Sequence, residues 1–239
     1  PATRVPGFKH DPERPMRVRQ LLPQGTTGSN AIWYIQETEY EDGVDITAEG
    51  DSKPKSSFKL EQKAANVVKI ATHFKISEEM LEDVEGLSSH ISLRGTQKYF
   101  NKEDQQLLYG TGLSGQLEGL TVSSTDYAMD GYEDSQAQEF DILMQSIKQL
   151  RNQNYNPTVA LTSINDYFNM IQRKDTDGRY LMPQNVLFGT QVPTVSGVPI
   201  VAFNAIEDDD FLVADMPMLT TLFDRRGVSV RFYDQNEDD

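Results

Sequence analysis

The chain has 239 residues, 37% of them hydrophobic, with no cysteine and three histidines (His10, His73 and His90). That length allows one large domain or two small ones around a real core, and the composition excludes disulfides, thiol catalysis and cysteine-held zinc. The balance of 22 basic to 37 acidic residues leaves a net charge of −15, poorly suited to wrapping nucleic acid through general electrostatics. No run approaches eighteen apolar residues, so a membrane-spanning helix is not expected. No signal or transit peptide is legible, and Pro1 in place of Met reads as a processed or trimmed start.

The charge is uneven. Residues 1–75 carry 11 basic and 10 acidic side chains, a net of +1, and residues 76–239 carry 11 and 27, a net of −16. A basic arm ahead of an acidic body invites contact between copies, although acidic surfaces also serve solubility alone. Arg4, Lys9, Arg14, Arg17 and Arg19 form that arm. With Phe8 the single aromatic residue between them, an acidic neighbour suits them better than a polyanion.

Ile32, Tyr34, Thr38 and Tyr40, with Trp33 and Ile35 beside them, open a strand-like run. Glu41 to Ser57 is rich in Gly, Asp, Ser and Lys, which is turn chemistry. From Phe58 to Ile76 one parity (Phe58, Leu60, Ala64, Val68, Ile70, Phe74) is largely apolar, and the other (Lys59, Glu61, Lys63, Lys69, His73, Lys75) holds most of the charge. This alternation predicts a strand and, with the first run, a long hairpin with a mobile tip. Nineteen residues in one strand span about 60 Å at ~3.3 Å each. A compact chain of this size has a diameter of about 45 Å. The hairpin should therefore project and, being marginal alone, need cover from another copy. The competing arrangement is a bulged strand curling within one sheet.

Ser77-Glu78-Glu79 predicts a helix start, with Met80, Val84, Leu87 and Ile91 at helical spacing, Gly86 as a kink or break, and continuation to Gly110. Such a rod measures roughly 48 Å. A second helix is expected over about Ser135 to Arg151 and a buried strand over Thr158 to Thr162. A third helix, capped by Ser163, carries Ile164, Phe168 and Ile171. Extended segments are expected at Arg179 to Leu181, Val198 to Phe203, Phe211 to Val213 and Val228 to Phe232. The order is α+β, helices and strands around a small sheet.

Candidate chemistry is sparse. Gly110-Thr111-Gly112-Leu113-Ser114-Gly115 has dinucleotide-binding spacing but follows a helix, where glycines serve as caps and turns. Asp175 and Asp177 before Gly178 hint at a calcium loop without its third acid or closing Glu, so a plain turn is expected. Glu207 to Asp210 could hold a hard cation weakly, and a solvated loop fits better. His73, on the charged parity, reads as a surface residue. No catalytic, cofactor or metal residues are assigned.

Taken in order, these landmarks resemble the major capsid proteins of tailed double-stranded DNA bacteriophages. The resemblance runs through Arg17-Val18-Arg19-Gln20-Leu21-Leu22, Gly25 to Ala31, Ala48-Glu49-Gly50, Lys53-Pro54, Ala65-Asn66-Val67 and Ser77 to Asp83. It continues through Leu107 to Gly112, Leu117-Glu118-Gly119-Leu120, Asp177 to Leu181, Gly197 to Val201 and Asp224-Arg225-Arg226-Gly227. It covers nearly the whole chain, and the order of the motifs carries it more than any one of them.

The resemblance implies an N-terminal arm over 1–29 and an extended β-hairpin loop over 30–76. It further implies a peripheral domain with a long spine helix over 77–120, an axial domain over 121–223 and a return strand over 224–239. It implies a non-enzymatic, cofactor-free subunit that assembles with itself into pentamers and hexamers of an icosahedral shell around the genome. The shell would form in the bacterial cytoplasm and belong to the virion. Implied partners are a scaffolding segment, a maturation protease and a portal, with no sequence-specific nucleic-acid contact and no membrane. Lys53 matches the loop-tip lysine that some relatives join to an Asn of a neighbour, assisted by a buried Glu. Those two residues and one strand of the relatives would lie beyond Asp239, so the chain as far as Asp239 does not complete the cross-link. The rival readings are an encapsulin-like nanocompartment shell of the same fold and, from another class, an acidic hydrolase or sugar-binding module.

Overall fold

The computed structural model describes residues 12–14, 17–50, 52–75, 86–129, 138–182, 186, 189 and 191–231. The chain divides into two compact units. The larger is drawn from Pro1–Gly25, Ile70–Leu222 and Val228–Asp239, the smaller from Thr26–Lys69 and Phe223–Gly227.

The larger unit is built on a four-stranded sheet in the order β5-β6-β4-β7. Its strands are β4 (Val159–Thr162), β5 (Thr194–Val195), β6 (Val198–Ala202) and β7 (Phe211–Ala214). β4 runs parallel to β6 and antiparallel to β7, and all four of its residues are buried. A strand with neighbours on both sides and cover on both faces reads as an unbroken apolar run, which is why Val159-Ala160-Leu161 was legible. Its side chains alternate between two cores. Val159 and Leu161 pack with Leu107, Leu108, Phe203, Leu212 and Met216, whereas Ala160 packs with Leu143, Ile147, Met170, Val198 and Ile200.

Helix α1 (Leu87–Tyr109) supplies the first core, and α2 (Glu139–Asn152) and α3 (Ile164–Gln172) the second. Ser163 caps α3 as expected, its hydroxyl accepting from the Asp166 amide at 3.0 Å. α2 opens on a capping box, with Gln138 N–H donating to the Asp141 carboxylate at 3.0 Å. The expected start at Ser135 lies outside the described residues. A four-residue helix, α4 (Met216–Leu219), and strand β8 (Leu222–Asp224) follow the sheet. β8 pairs with β1 (Gln24–Thr26).

The glycine-rich stretch after α1 is a turn. Gly112 N–H donates to Leu117 O, and Gly119 N–H to Gly110 O, folding 111–118 back so that Leu120 N–H reaches Leu107 O on the helix. A Cβ on Gly119 would lie 2.5 Å from both Gly110 N and Leu108 O, so the crossing requires a glycine.

The smaller unit is a hairpin of β2 (Ala31–Glu41) and β3 (Ser57–Asn66). The predicted strand to Ile76 is corrected: β3 has ten residues, about 33 Å. The ladder closes where Val67 N–H meets Asn30 O, because β2 begins at Ala31 and offers no partner beyond it. Val67 and Val68 are both half-buried, so the alternation of faces stops there too. Residues 67–75 are irregular, and Ile76 is not described.

The predicted rod is also shortened. Gly86, at φ 79°, is the N-cap of a 23-residue helix of about 34 Å, and the stretch 77–85 is not described. Arg179 to Leu181 forms no strand. Asp175 accepts from the Asp177 and Arg179 amides, and only a single bridge joins Lys174 and Tyr180. Val228 to Arg231 is irregular, Phe232 is not described, and β8 lies earlier, at Leu222–Asp224.

Candidate functional site

Two surfaces stand out, one in each unit. The first joins the arm segment to α1. Asp104 is wholly buried, accepting Val18 N–H at 2.9 Å through Oδ1 and Arg17 Nη1 at 3.2 Å through Oδ2. Arg17 Nη1 also bonds Asn101 Oδ1, while Asn101 Nδ2 donates to Glu13 Oε2 at 3.1 Å. Arg19 lies 3.3 Å from Glu103 Oε2. Both guanidinium groups sit over the Phe100 ring, at 5.7 and 5.4 Å from its centroid. Glu13 pairs with Arg94 and lies 3.8 Å from Lys98. The Asn101 hydrogen bond, helped by Lys98, Arg94 and Arg17, holds the Glu13 carboxyl below its ordinary value.

This overturns one expectation. Arg17 and Arg19 were read as reaching for an acidic neighbour, yet α1 of the same chain satisfies them. The pairing had a sequence signal. Asp104 lies four residues after Phe100 and four before Leu108, on an apolar stripe, and a carboxylate buried there must be paired. Arg4 and Lys9 lie outside the described residues.

The second surface is the hairpin. Pairing runs in step from Ala31↔Asn66 to Glu37↔Leu60, then shifts to Glu39↔Lys59, leaving Thr38 as an extra residue. Its hydroxyl donates to Lys59 O at 3.4 Å. The shift gathers Trp33, Ile35, Tyr40, Phe58 and Leu60 on one face, each between 52% and 69% exposed. Glu39, Glu41, Lys59, Glu61 and Lys63 share the other face with Tyr34. There Lys59 lies 3.8 Å from both Glu39 and Glu61, and Ser57 Oγ donates to Glu41 at 2.8 Å. Every residue of β3 is exposed. Lys53 is exposed in the connection between the strands, beside Pro54.

The remaining candidates stay apart. Gly110 to Gly115 is the turn described above. Asp175 and Asp177 share one turn, with Asp175 caging backbone amides. The loop of Glu207 to Asp210 is tied down by Tyr109 Oη, which accepts from Glu207 N–H and donates to Asp210, and by Asn165 on Asp208. Burial, together with the adjacent Asp210 charge, raises the Tyr109 pKa. His73 is exposed and lines an open cleft of about 430 Å³ with Phe74, Lys75, His90, Ile91 and Arg94. Among the described residues no three His, Asp or Glu side chains gather as metal ligands, and no helix is long and apolar enough to cross a membrane.

The α+β fold is shared with solved capsid structures. The capsid of the native GTA particle, computed with C5 symmetry, superposes with a TM-score of 0.75 at 14% identity, over 95% of this chain and 82% of that one. A chain from Mycobacterium phage Bobi gives 0.66 at 15% identity, over 91% and 74%. The family model for phage capsid proteins matches residues 1–239, and the chain belongs to that family. The major capsid protein of Enterobacteria phage HK97 is 29% identical over 236 residues, 98% of this chain. The chain spans 60% of that relative's length.

Proposed function

We propose that this protein is a structural subunit of a bacteriophage icosahedral capsid, assembling with itself into pentamers and hexamers that enclose double-stranded DNA. The observation that carries the reading is the hairpin's exposed apolar face, set in a chain of the phage capsid family. A two-stranded ribbon is marginal in water, and five large apolar side chains left on it need a surface to cover them. A neighbouring copy supplies one at the same position on every subunit, as closed symmetry requires. The work done is geometric, with no catalysis assigned.

In this reading residues 1–29 are the arm, 30–76 the extended loop, 77–120 the peripheral domain, 121–223 the axial domain and 224–239 the return strand. Lys53, exposed between the hairpin strands, is the loop-tip lysine facing a neighbouring copy. The protein belongs to the virion and is assembled in the host cytoplasm, where a scaffolding segment, a maturation protease and a portal are its partners.

Electron microscopy and analytical ultracentrifugation of the purified full-length gene product test the reading. Rings of five or six copies, or closed shells, are expected. A monomer at every concentration would overturn it.

A further inference from the structure

Resting on that reading, we propose that the bulge at Thr38 selects which side of the hairpin meets the neighbouring copy. The side bearing Trp33, Ile35, Tyr40, Phe58 and Leu60 docks, and the side bearing Glu39, Glu41, Lys59, Glu61 and Lys63 stays in water.

The argument is one of parity. In an unbroken strand, successive side chains alternate strictly between faces. Running without a bulge from Ala31 to Glu41, β2 would put Glu37, Glu39 and Glu41 on the face of Trp33 and Ile35, and Tyr40 on the opposite one. Three carboxylates would interrupt any apolar contact, and each would lose its hydration on docking. The extra residue at Thr38 shifts the parity once. Beyond it Tyr40 joins Trp33 and Ile35, opposite Phe58, while Glu39 and Glu41 cross to the side of Lys59. The contacts follow the shift: Glu39 and Glu61 flank Lys59, and Glu41 accepts from Ser57. Only Glu37, opposite Leu60, remains as a charge on the apolar side. Bulges re-aim side chains in this way.

The two sides then differ in what they can do. Five large side chains at half to two-thirds exposure present roughly 600 Å² of mostly apolar surface. That reaches the top of the range for the largest patch on a monomer, about 300–600 Å². It is also most of the ~800 Å² that one partner contributes to a standard interface. The charged side is internally paired and open to solvent, with Lys59 58% and Glu39 72% exposed at their side chains, so it needs no partner. The occupant is a second copy of this chain, because that is the partner the assembly reading provides for every hairpin at once.

Trp33 is the only tryptophan in the chain, so its fluorescence reports on this face alone. Acrylamide quenching is measured on the unmodified protein, free and assembled. A several-fold fall in the quenching constant with a blue-shifted emission is expected on assembly. Particles in which Trp33 quenches as readily as in the free chain would overturn the face assignment and leave the assembly reading intact. If no particle forms at any concentration, the assembly reading fails and the face assignment with it. Inserting an alanine between Lys59 and Leu60 gives Thr38 a partner and restores strict alternation along β2, which moves Glu39, Glu41 and Lys59 to the side of Trp33, and Tyr40 and Phe58 to the other. This variant should raise the critical concentration at least about tenfold, whereas deleting Thr38 keeps every other residue on its present side and should assemble normally. An insertion variant that assembles like the unmodified chain would also reject the proposal.

Discussion

Asp104 occupies a position where sequence pattern and chemistry disagree. A carboxylate on an apolar stripe survives burial only because Val18 N–H and Arg17 fill its acceptor sites. Asp104→Ala leaves a guanidinium and an amide without their acceptor. It should cost about 3 kcal/mol, read as a fall in the urea midpoint, and Asp104→Asn distinctly less. Glu13 makes the same attachment dependent on pH. Its carboxyl lies below the ordinary value of 4.5, so its stabilisation of the arm is fully present above that value and lost as pH falls through the lowered one. Hydrogen exchange at Arg17 to Leu22 should stay slow from pH 7 down to about 5 and quicken in more acid solution, once corrected for intrinsic rates. Unchanged protection down to pH 3 would remove Glu13 from the clamp. Legibility at this scale followed locality. The Ser163 cap bonds three residues away and could be read in the sequence, whereas Asp104 and Val18 are 86 residues apart and could not.

Among the elements, a strand buried on both faces and a helix with a side-chain cap were legible locally. The strand at Val159–Thr162 came out within a residue of expectation. The helix at Ile164–Gln172 starts after its expected cap, although Ile164 and Phe168 of its expected apolar face stay exposed and Met170 is the residue it buries. The overlong strand at Phe58–Ile76 failed because periodicity marks which residues could pair, and the ladder ends where the partner strand ends. β1 and β8 have three residues each, too few for a period to show. The connection between β2 and β3 carries a test of the assembly reading. It is exposed, with Lys55 the site open to trypsin, since Pro54 shields Lys53. Cleavage after Lys55 should be rapid in free subunits and strongly slowed in assembled particles. Equal rates, followed by mass spectrometry, would argue that neighbours do not overlap this loop.

For the molecule as a whole, charge and apolar surface pull in opposite directions. The chain carries −15, all of it from the segment after residue 75, and Arg17 and Arg19 are paired with α1. Copies therefore repel through their acidic bodies and attract through the hairpin face. Screening shortens the first interaction, from a Debye length of ~10 Å at 0.1 M salt to ~3 Å at 1 M, and leaves the second nearly untouched. Light scattering should accordingly show the critical concentration falling as salt rises. A rise instead would mean that charge pairs between copies hold the assembly together.

By itself the sequence determined the α+β order, the turn chemistry at the glycines, the hairpin and the ordered motifs that marked the family. These are written in patterns of a few residues, or in their succession along the chain. Tertiary structure alone decided where the hairpin ladder stops, which acids receive the arm's arginines, and which side of the hairpin is apolar. Each of those depends on a partner residue far away in the chain, and a single unpaired residue at Thr38 exchanges the faces of everything beyond it.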